Sequence, residues 1–222
     1  MPTLGLVHNS PMLAAVFNEI AARVMPDVRI LHFVDESTIK NTIAAGHLQK
    51  ATMRQVIRLV GSTFDAGCDV AMVTCSSIGR AVEMAAELYD QPVLRVDRAM
   101  AEKAVSTGKR IGVVATLSTT LNPTAELVRR VAVEQGKDIE LVDHLCEGAF
   151  DAVMKGDGAT HDRIVGEALT DAMKGVDAIV LAQASMARVV AALPAGAVPA
   201  PVYSSPELGM LHAAEVLKGS AK

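Results

Sequence analysis

The stretch Asp69-Val-Ala-Met-Val-Thr-Cys-Ser-Ser-Ile-Gly-Arg80 recurs as Asp177-Ala-Ile-Val-Leu-Ala-Gln-Ala-Ser-Met-Ala-Arg188. Asp69 aligns with Asp177, Cys75 with Gln183, Ser77 with Ser185, Ile78 with Met186 and Arg80 with Arg188. Other landmarks keep the register. Leu4-Gly-Leu-Val7 resembles Ile111-Gly-Val-Val114, and Pro92-Val93 resembles Pro201-Val202. Cys75 lies 70 positions after Gly5, and Gln183 lies 71 after Gly112. Solenoid units are shorter than this, so the repeat is a duplicated half-domain. Each copy reads as a continuous apolar strand, a small polar turn and a helix opening near Ile78 or Met186. Such a run is what a parallel strand covered on both faces looks like. The repeat predicts an α/β fold: two pseudo-symmetric parallel-sheet domains with the active site in the cleft between them. The first half is expected over 1–98 plus a C-terminal helix at 206–222, and the second over 99–205.

The rest of the chain alternates in the same way. Strands are expected at Thr3–His8, Val28–Val34, Val70–Val73, Val93–Val96, Arg110–Ala115, Ile139–Val142 and Val202–Tyr203, besides the copy of the central strand. Between them come helical patterns at Pro11–Met25 (Ser10 as cap), Leu48–Ala66 closed by Gly67, Met100–Thr107, Thr124–Gln135, Cys146–Met154 and His161–Met173. Segment 35–47 is polar and reads either as a lid or as a surface connection. Thr116-Leu-Ser-Thr-Thr-Leu-Asn-Pro123 reads as a loop.

Half of the 222 residues are apolar, and only 3% are aromatic. A chain of this size buries a large core. A net charge of −4, without a basic cluster or aromatics for stacking, argues against nucleic acid as a partner. Cys68, Cys75 and Cys146 form neither a disulfide framework nor a CxxC pair, which fits a reducing cytoplasm. No apolar run reaches membrane-spanning length and no secretion signal opens the chain, so a cytoplasmic location without membrane contact is expected. His8, His32, His47, His144, His161 and His212 show no pair at metal-ligand spacing, and no metal site is predicted. Nucleotide-binding glycine patterns are absent.

In parallel sheets, ligands bind beyond the carboxyl ends of the strands. Those ends are Asn9-Ser10, Thr74–Ser77, Thr116–Thr120 and Gln183–Ser185, and all are short, polar and uncharged. Hydroxyls, amides and helix-start N–H groups suit a small carboxylate, although the same residue types also serve as ordinary helix caps. Cys75 falls where strand gives way to helix. Free amide N–H groups and the helix dipole there favour a thiolate, so a lowered pKa is expected. The alternative is a small core residue at a tight turn. Cys68 lies at the wrong end of the strand for chemistry, and Cys146 reads as core. Arg80 and Arg188 read as solvated ion-pair partners, and His8 as a satisfied buried histidine.

The turn Val-Thr-Cys-Ser-Ser resembles the Thr-Cys-Asn-Thr motif of the aspartate/glutamate/hydantoin racemase superfamily. Leu-Ala-Gln-Ala-Ser-Met looks like its Leu-Gly-Cys-Ala-Gly-Met motif with the cysteine replaced. The resemblance runs through both halves. It implies a cofactor-independent isomerase acting at the α-carbon of a small carboxylate (an amino acid, a hydantoin or a dicarboxylate) and working as a homodimer or higher homo-oligomer. In that family two cysteines face each other across the α-carbon, one removing the proton and the other delivering it.

Carried over by position, Cys75 matches the first catalytic cysteine. Asn9, Ser10, Ser76, Ser77 and Thr116 match carboxylate-binding positions, with Thr74, Thr119 and Ser185 beside them. Gln183 takes the second cysteine's place, and an amide cannot exchange protons with a carbon acid. One thiol still permits stereospecific protonation after decarboxylation, addition to a double bond for cis–trans isomerisation, or attack on a carbonyl as a hydrolase. A carboxylate-binding protein without catalysis is the remaining alternative.

Overall fold

The computed structural model describes residues 1–220. The chain divides into two compact units, Met1–Ala99 with Pro206 onward, and Met100–Ser205. Each is built on a four-stranded sheet whose pairings are all parallel.

In unit 1 the strands are β1 (Thr3–His8), β2 (Arg29–Val34), β3 (Val70–Val73) and β4 (Val93–Arg95), in the order β2-β1-β3-β4. The helices are α1 (Met12–Val24), α2 (Ser37–Ala45), α3 (Lys50–Asp65), α4 (Gly79–Leu88) and the C-terminal α10 (Ser205–Ser220). The two central strands, β1 and β3, are buried at every position, as their unbroken apolar runs predict. One core cluster joins Leu4, Leu6 and Met72 to Phe17 and Met210, and another joins Val7, Val73 and Ile78 to Val56 and Val60.

Unit 2 repeats the plan. Its strands are β5 (Arg110–Ala115), β6 (Glu140–Leu145), β7 (Ala178–Leu181) and β8 (Val202–Ser204), ordered β6-β5-β7-β8. Its helices are α5 (Arg98–Thr107), α6 (Ser118–Glu134), α7 (Ala149–Met154), α8 (Gly158–Glu167), continued by a π turn at Ala168–Ala172, and α9 (Ala187–Ala192).

The repeated landmarks have physical causes. Asp69 accepts the backbone N–H of Thr3 at 2.7 Å. Asp177 accepts those of Lys109 and Arg110 at 2.7 and 2.8 Å. Each aspartate thus ties the start of its central strand to the start of the neighbouring first strand. Gly5 and Gly112 are close-approach positions. A Cβ at Gly5 would stand 2.7 Å from Cβ of Thr63 on α3, and one at Gly112 would collide with the sulfur of Met173.

Segment 35–47, read as a lid or a surface connection, contains α2, packed against α3 and the turn that follows Cys75. Three expectations are corrected. Ser10 does not cap α1, whose N-cap is Pro11 without a side-chain hydrogen bond. Helix α6 starts at Ser118 and runs through Pro123. Its buried face, including Leu121, Leu127 and Val128, outweighs the one backbone bond that the proline forfeits. Cys146 lies just past the end of β6, outside any helix, and is buried as expected.

Candidate active site

In each sheet the chain leaves the first strand toward one neighbour and returns on its other side. The crevice at the carboxyl ends of the two central strands is therefore a topological switch point, where α/β sheets hold ligands. In unit 1 that edge carries Asn9, Ser10 and Thr74–Ser77. In unit 2 it carries Thr116, Thr119, Gln183 and Ser185.

Unit 1 places Cys75 in extended backbone (φ −134°, ψ 118°), immediately before a 3-10 turn at Ser76–Ile78 that leads into α4. The side chain is half-buried and packs beside Val73 and Ile78. The N–H groups of Ser77 and Ile78 and the Ser77 hydroxyl hydrogen-bond to the sulfur and favour thiolate, but burial outweighs them and pushes the thiol up to about 11. Asp97 adds to the upward shift. The expectation of a lowered pKa is thus corrected. The donors are where the sequence places them, but removing a thiolate from water costs more than they return.

Behind the turn lies a charged cluster that sequence reasoning missed. Arg95 donates from Nε to Asp97 Oδ1 at 2.9 Å and from Nη2 to Oδ2 at 2.8 Å, and also bonds Glu83. Arg95 is 8% exposed and Asp97 1%. Burial alone would raise the Asp97 pKa, but Arg95 and a hydrogen bond from the Ser76 side chain lower it. Ser76 is thereby committed to Asp97. Gly79 leaves the space that the Arg95 guanidinium fills. The signal was available: register pairs Arg95 with Val73, whereas the second copy pairs Ser204 with Leu181.

His8, 1% exposed, continues the polar wall. Its Nδ1 lies 2.8 Å from Thr74 Oγ, and its Nε2 lies 2.9 Å from Nδ1 of His32. Nε2 of His32 is 3.0 Å from Asn18 Oδ1. Burial, and for His8 also the charge on His32, lowers both pKa values, that of His8 to about 4. Asn9 and Ser10 are half-buried at the end of β1.

Unit 2 reproduces the backbone but not the chemistry. Gln183 has φ −131° and ψ 135°, and a 3-10 turn at Ala184–Met186 follows. Its Oε1 accepts the Thr116 N–H at 2.7 Å, and its Nε2 donates to Thr116 Oγ at 2.7 Å. The N–H can only donate, which fixes the orientation of the amide. Gln183 is therefore a clasp on the loop after β5. Thr119, 9% exposed in the first turn of α6, has a hydroxyl with no hydrogen-bond partner among the described residues. Leu117, the N-cap of α6, supplies no side-chain bond, and Pro123 cannot donate to the Thr119 carbonyl. Ser185 is exposed. Cys146 is 1% exposed, its thiol pushed by burial to about 11. Cys68 is buried at the amino end of β3.

Arg80 pairs with Glu83 at 3.3 Å and Arg188 with Asp162 at 2.6 Å, both as exposed arginines. Among the described residues no group of three or more His, Cys, Asp or Glu is arranged to hold a metal ion, and no helix is long and apolar enough to cross a membrane.

Two parallel-sheet units, one presenting a cysteine on a helix-opening turn at its switch point, define a duplicated α/β protein of the racemase type. The chain belongs to the Asp/Glu/Hydantoin racemase family, whose pattern it matches over residues 9–213. Comparison of the sequence with curated proteins finds no match. Glutamate racemase from Francisella tularensis, solved with D-glutamate, is similar in structure at 15% identity, with 99% of this chain and 82% of that one covered and a TM-score of 0.75. Aspartate racemase from Picrophilus torridus matches at 16% identity, over 100% and 95% of the two chains, with a TM-score of 0.70. Allantoin racemase from Klebsiella pneumoniae matches at 18% identity, over 98% and 89%, with a TM-score of 0.67. At these identities the likeness is one of fold.

Proposed function

We propose that this protein is a cofactor-independent racemase or related isomerase acting at the α-carbon of an amino acid, a hydantoin or another small carboxylate, with Cys75 as its thiol acid/base. The observation that carries this reading is the set of donors around the Cys75 sulfur, the Ser77 and Ile78 N–H groups and the Ser77 hydroxyl. They stabilise a thiolate at a strand's carboxyl end, in a chain of the racemase family.

With its pKa near 11 the thiol is protonated at rest. The small thiolate fraction is a stronger base than an ordinary thiolate, which suits a carbon acid, and its population grows tenfold per pH unit. The Thr119 hydroxyl, buried without a partner at an uncapped helix start, supports its role as a carboxylate or carbonyl donor. Thr116, Asn9, Ser10, Ser77 and Ser185 complete the candidate substrate groups. Thr74 and Gln183 join them, the amide chiefly by holding Thr116. Gln183 carries no exchangeable acid/base proton, so racemisation takes its second-face proton from another group.

Proton NMR in deuterated water, with amino acids, 5-substituted hydantoins, maleate and substituted malonates, tests the reading. Deuterium entering the α-position with both stereoisomers appearing, and neither occurring in Cys75→Ala, is the expected result. Exchange that survives in Cys75→Ala removes the thiol from the mechanism. A product one carbon shorter, or fumarate from maleate, identifies a decarboxylase or a cis–trans isomerase instead.

A further inference from the structure

Thr74 ends β3 directly before Cys75 and is half-buried at the carboxyl edge. Its hydroxyl meets two protein groups, His8 Nδ1 at 2.8 Å and the Val7 carbonyl at 3.1 Å. His8 is stacked on His32 with ring centroids 5.1 Å apart and packs against Phe17 at 5.4 Å. Both imidazoles are neutral near pH 7, because burial disfavours their charged forms. A neutral imidazole has one N–H and one bare nitrogen, so the chain Thr74–His8–His32–Asn18 can be satisfied in only two ways.

In the first, Thr74 donates to His8 Nδ1, His8 donates from Nε2 to His32 Nδ1, and His32 donates from Nε2 to Asn18 Oδ1. In the second, His32 donates to His8 and His8 to Thr74. Asn18 then turns its NH2 toward His32, and the Thr74 hydrogen is left to the Val7 carbonyl, which already accepts the Thr74 N–H at 3.0 Å. The structure sets Asn18 Oδ1 against His32 Nε2, which selects the first arrangement and spends the single hydrogen of Thr74 on His8. Toward a molecule at the carboxyl edge this hydroxyl therefore offers lone pairs only. Lone pairs repel a carboxylate and accept from an N–H group.

We infer that Thr74 is a specificity-determining hydrogen-bond acceptor for an N–H group of the substrate, with His8 and His32 holding its hydrogen inward. The inference rests on the reading of the Cys75 edge as the active site and narrows its substrates. It favours an α-amino acid (ammonium N–H) or a cyclic ureide (ring N–H) over dicarboxylates such as maleate or malonate. Thr119 is the opposite case, since its hydroxyl has no partner among the described residues.

The test is ligand-observed NMR titration of the full chain with two probe pairs, L-aspartate against succinate and L-glutamate against glutarate. Each pair differs by one amino group. The expected result is that the amino acids bind about tenfold tighter or more, as an N–H donor bearing charge provides. Thr74→Val brings the ratio close to one, and Thr74→Ser restores it. Dicarboxylates that bind as well as their amino acids, a ratio that Thr74→Val leaves unchanged, or no binding by any of the four overturns the inference. The catalytic reading fails separately. Cys75-independent exchange removes it while a Thr74-dependent amino preference stands, and Cys75-dependent α-proton exchange with dicarboxylates bound as well as their amino acids does the reverse.

Discussion

The two halves share a backbone and differ in what they place on it. Cys75 and Gln183 sit at matching dihedral angles before matching 3-10 turns. Around Cys75 lie a buried Arg95–Asp97 pair and a His8–His32 pair. At the corresponding register positions unit 2 has Ser204 for Arg95, Ala115 for His8 and Asp143 for His32. Gln183 instead spends both ends of its amide on Thr116. Duplication has thus kept the sheet and the switch point while the halves have divided the work. One half carries a titratable group with the charges that hold its turn, and the other carries a closed neutral clasp beside an unpartnered hydroxyl.

That division predicts different responses to equivalent substitutions. Cys75→Ala is expected to reduce α-proton exchange by about a thousandfold, with a change in unfolding free energy below about 1 kcal/mol, because the side chain is half-buried and already at the edge of the core. Deuterium-exchange NMR and urea titration on the same sample read both. Asp97→Asn leaves the buried Arg95 guanidinium with Glu83 but without its Asp97 charge and is expected to cost about 2–3 kcal/mol, visible as a lower urea midpoint. It also withdraws the negative charge that raises the Cys75 pKa. Alkylation of Cys75 by iodoacetamide, followed by peptide mass spectrometry across pH, is therefore expected to shift to lower pH in whatever fraction stays folded.

Gln183→Ala leaves the buried Thr116 N–H unsatisfied and is expected to cost about 1–3 kcal/mol. At about 2–4 °C per kcal/mol, calorimetry detects the fall in Tm. An alanine at 183 that costs no stability while exchange disappears would reverse the roles assigned to the two positions.

A smaller effect separates the halves by pH. The folded His8 imidazole protonates only near pH 4, against about 6.5 in an unfolded chain. Unfolded protein therefore binds the extra proton between those values, and stability falls as pH drops from about 6.5 toward 4. Between pH 7 and pH 5 the loss is on the order of 2 kcal/mol. Urea midpoints at pH 7 and pH 5 measure it. Hydrogen exchange places the first loss of protection in β1 and β2, with β5 and β6 keeping theirs.

Much of this was legible in the sequence because it was written twice. The paired motifs gave the strand–turn–helix units, and both aspartates at their starts proved to be structural ties. What escaped was long-range and one-sided. Arg95 and Asp97 look like the surface end of a strand, and only their contact with Ser76 and Gly79 makes them part of the Cys75 turn. The thiol's pKa was misread because the donors are local and readable, whereas burial depends on residues far away in the chain. Pro123 concealed the start of α6 because local propensity yielded to a buried helix face.

The most direct test of the central claim is α-proton exchange in deuterated water as a function of pH, for the native chain and Cys75→Ala, with an amino acid or hydantoin that the native chain turns over. If Cys75 is the base, kcat/KM for the native chain rises about tenfold per pH unit from pH 6 toward 9, and Cys75→Ala shows background exchange at every pH. A profile flat over that range, or one that Cys75→Ala reproduces, contradicts a catalytic thiol whose proton is held to about pH 11.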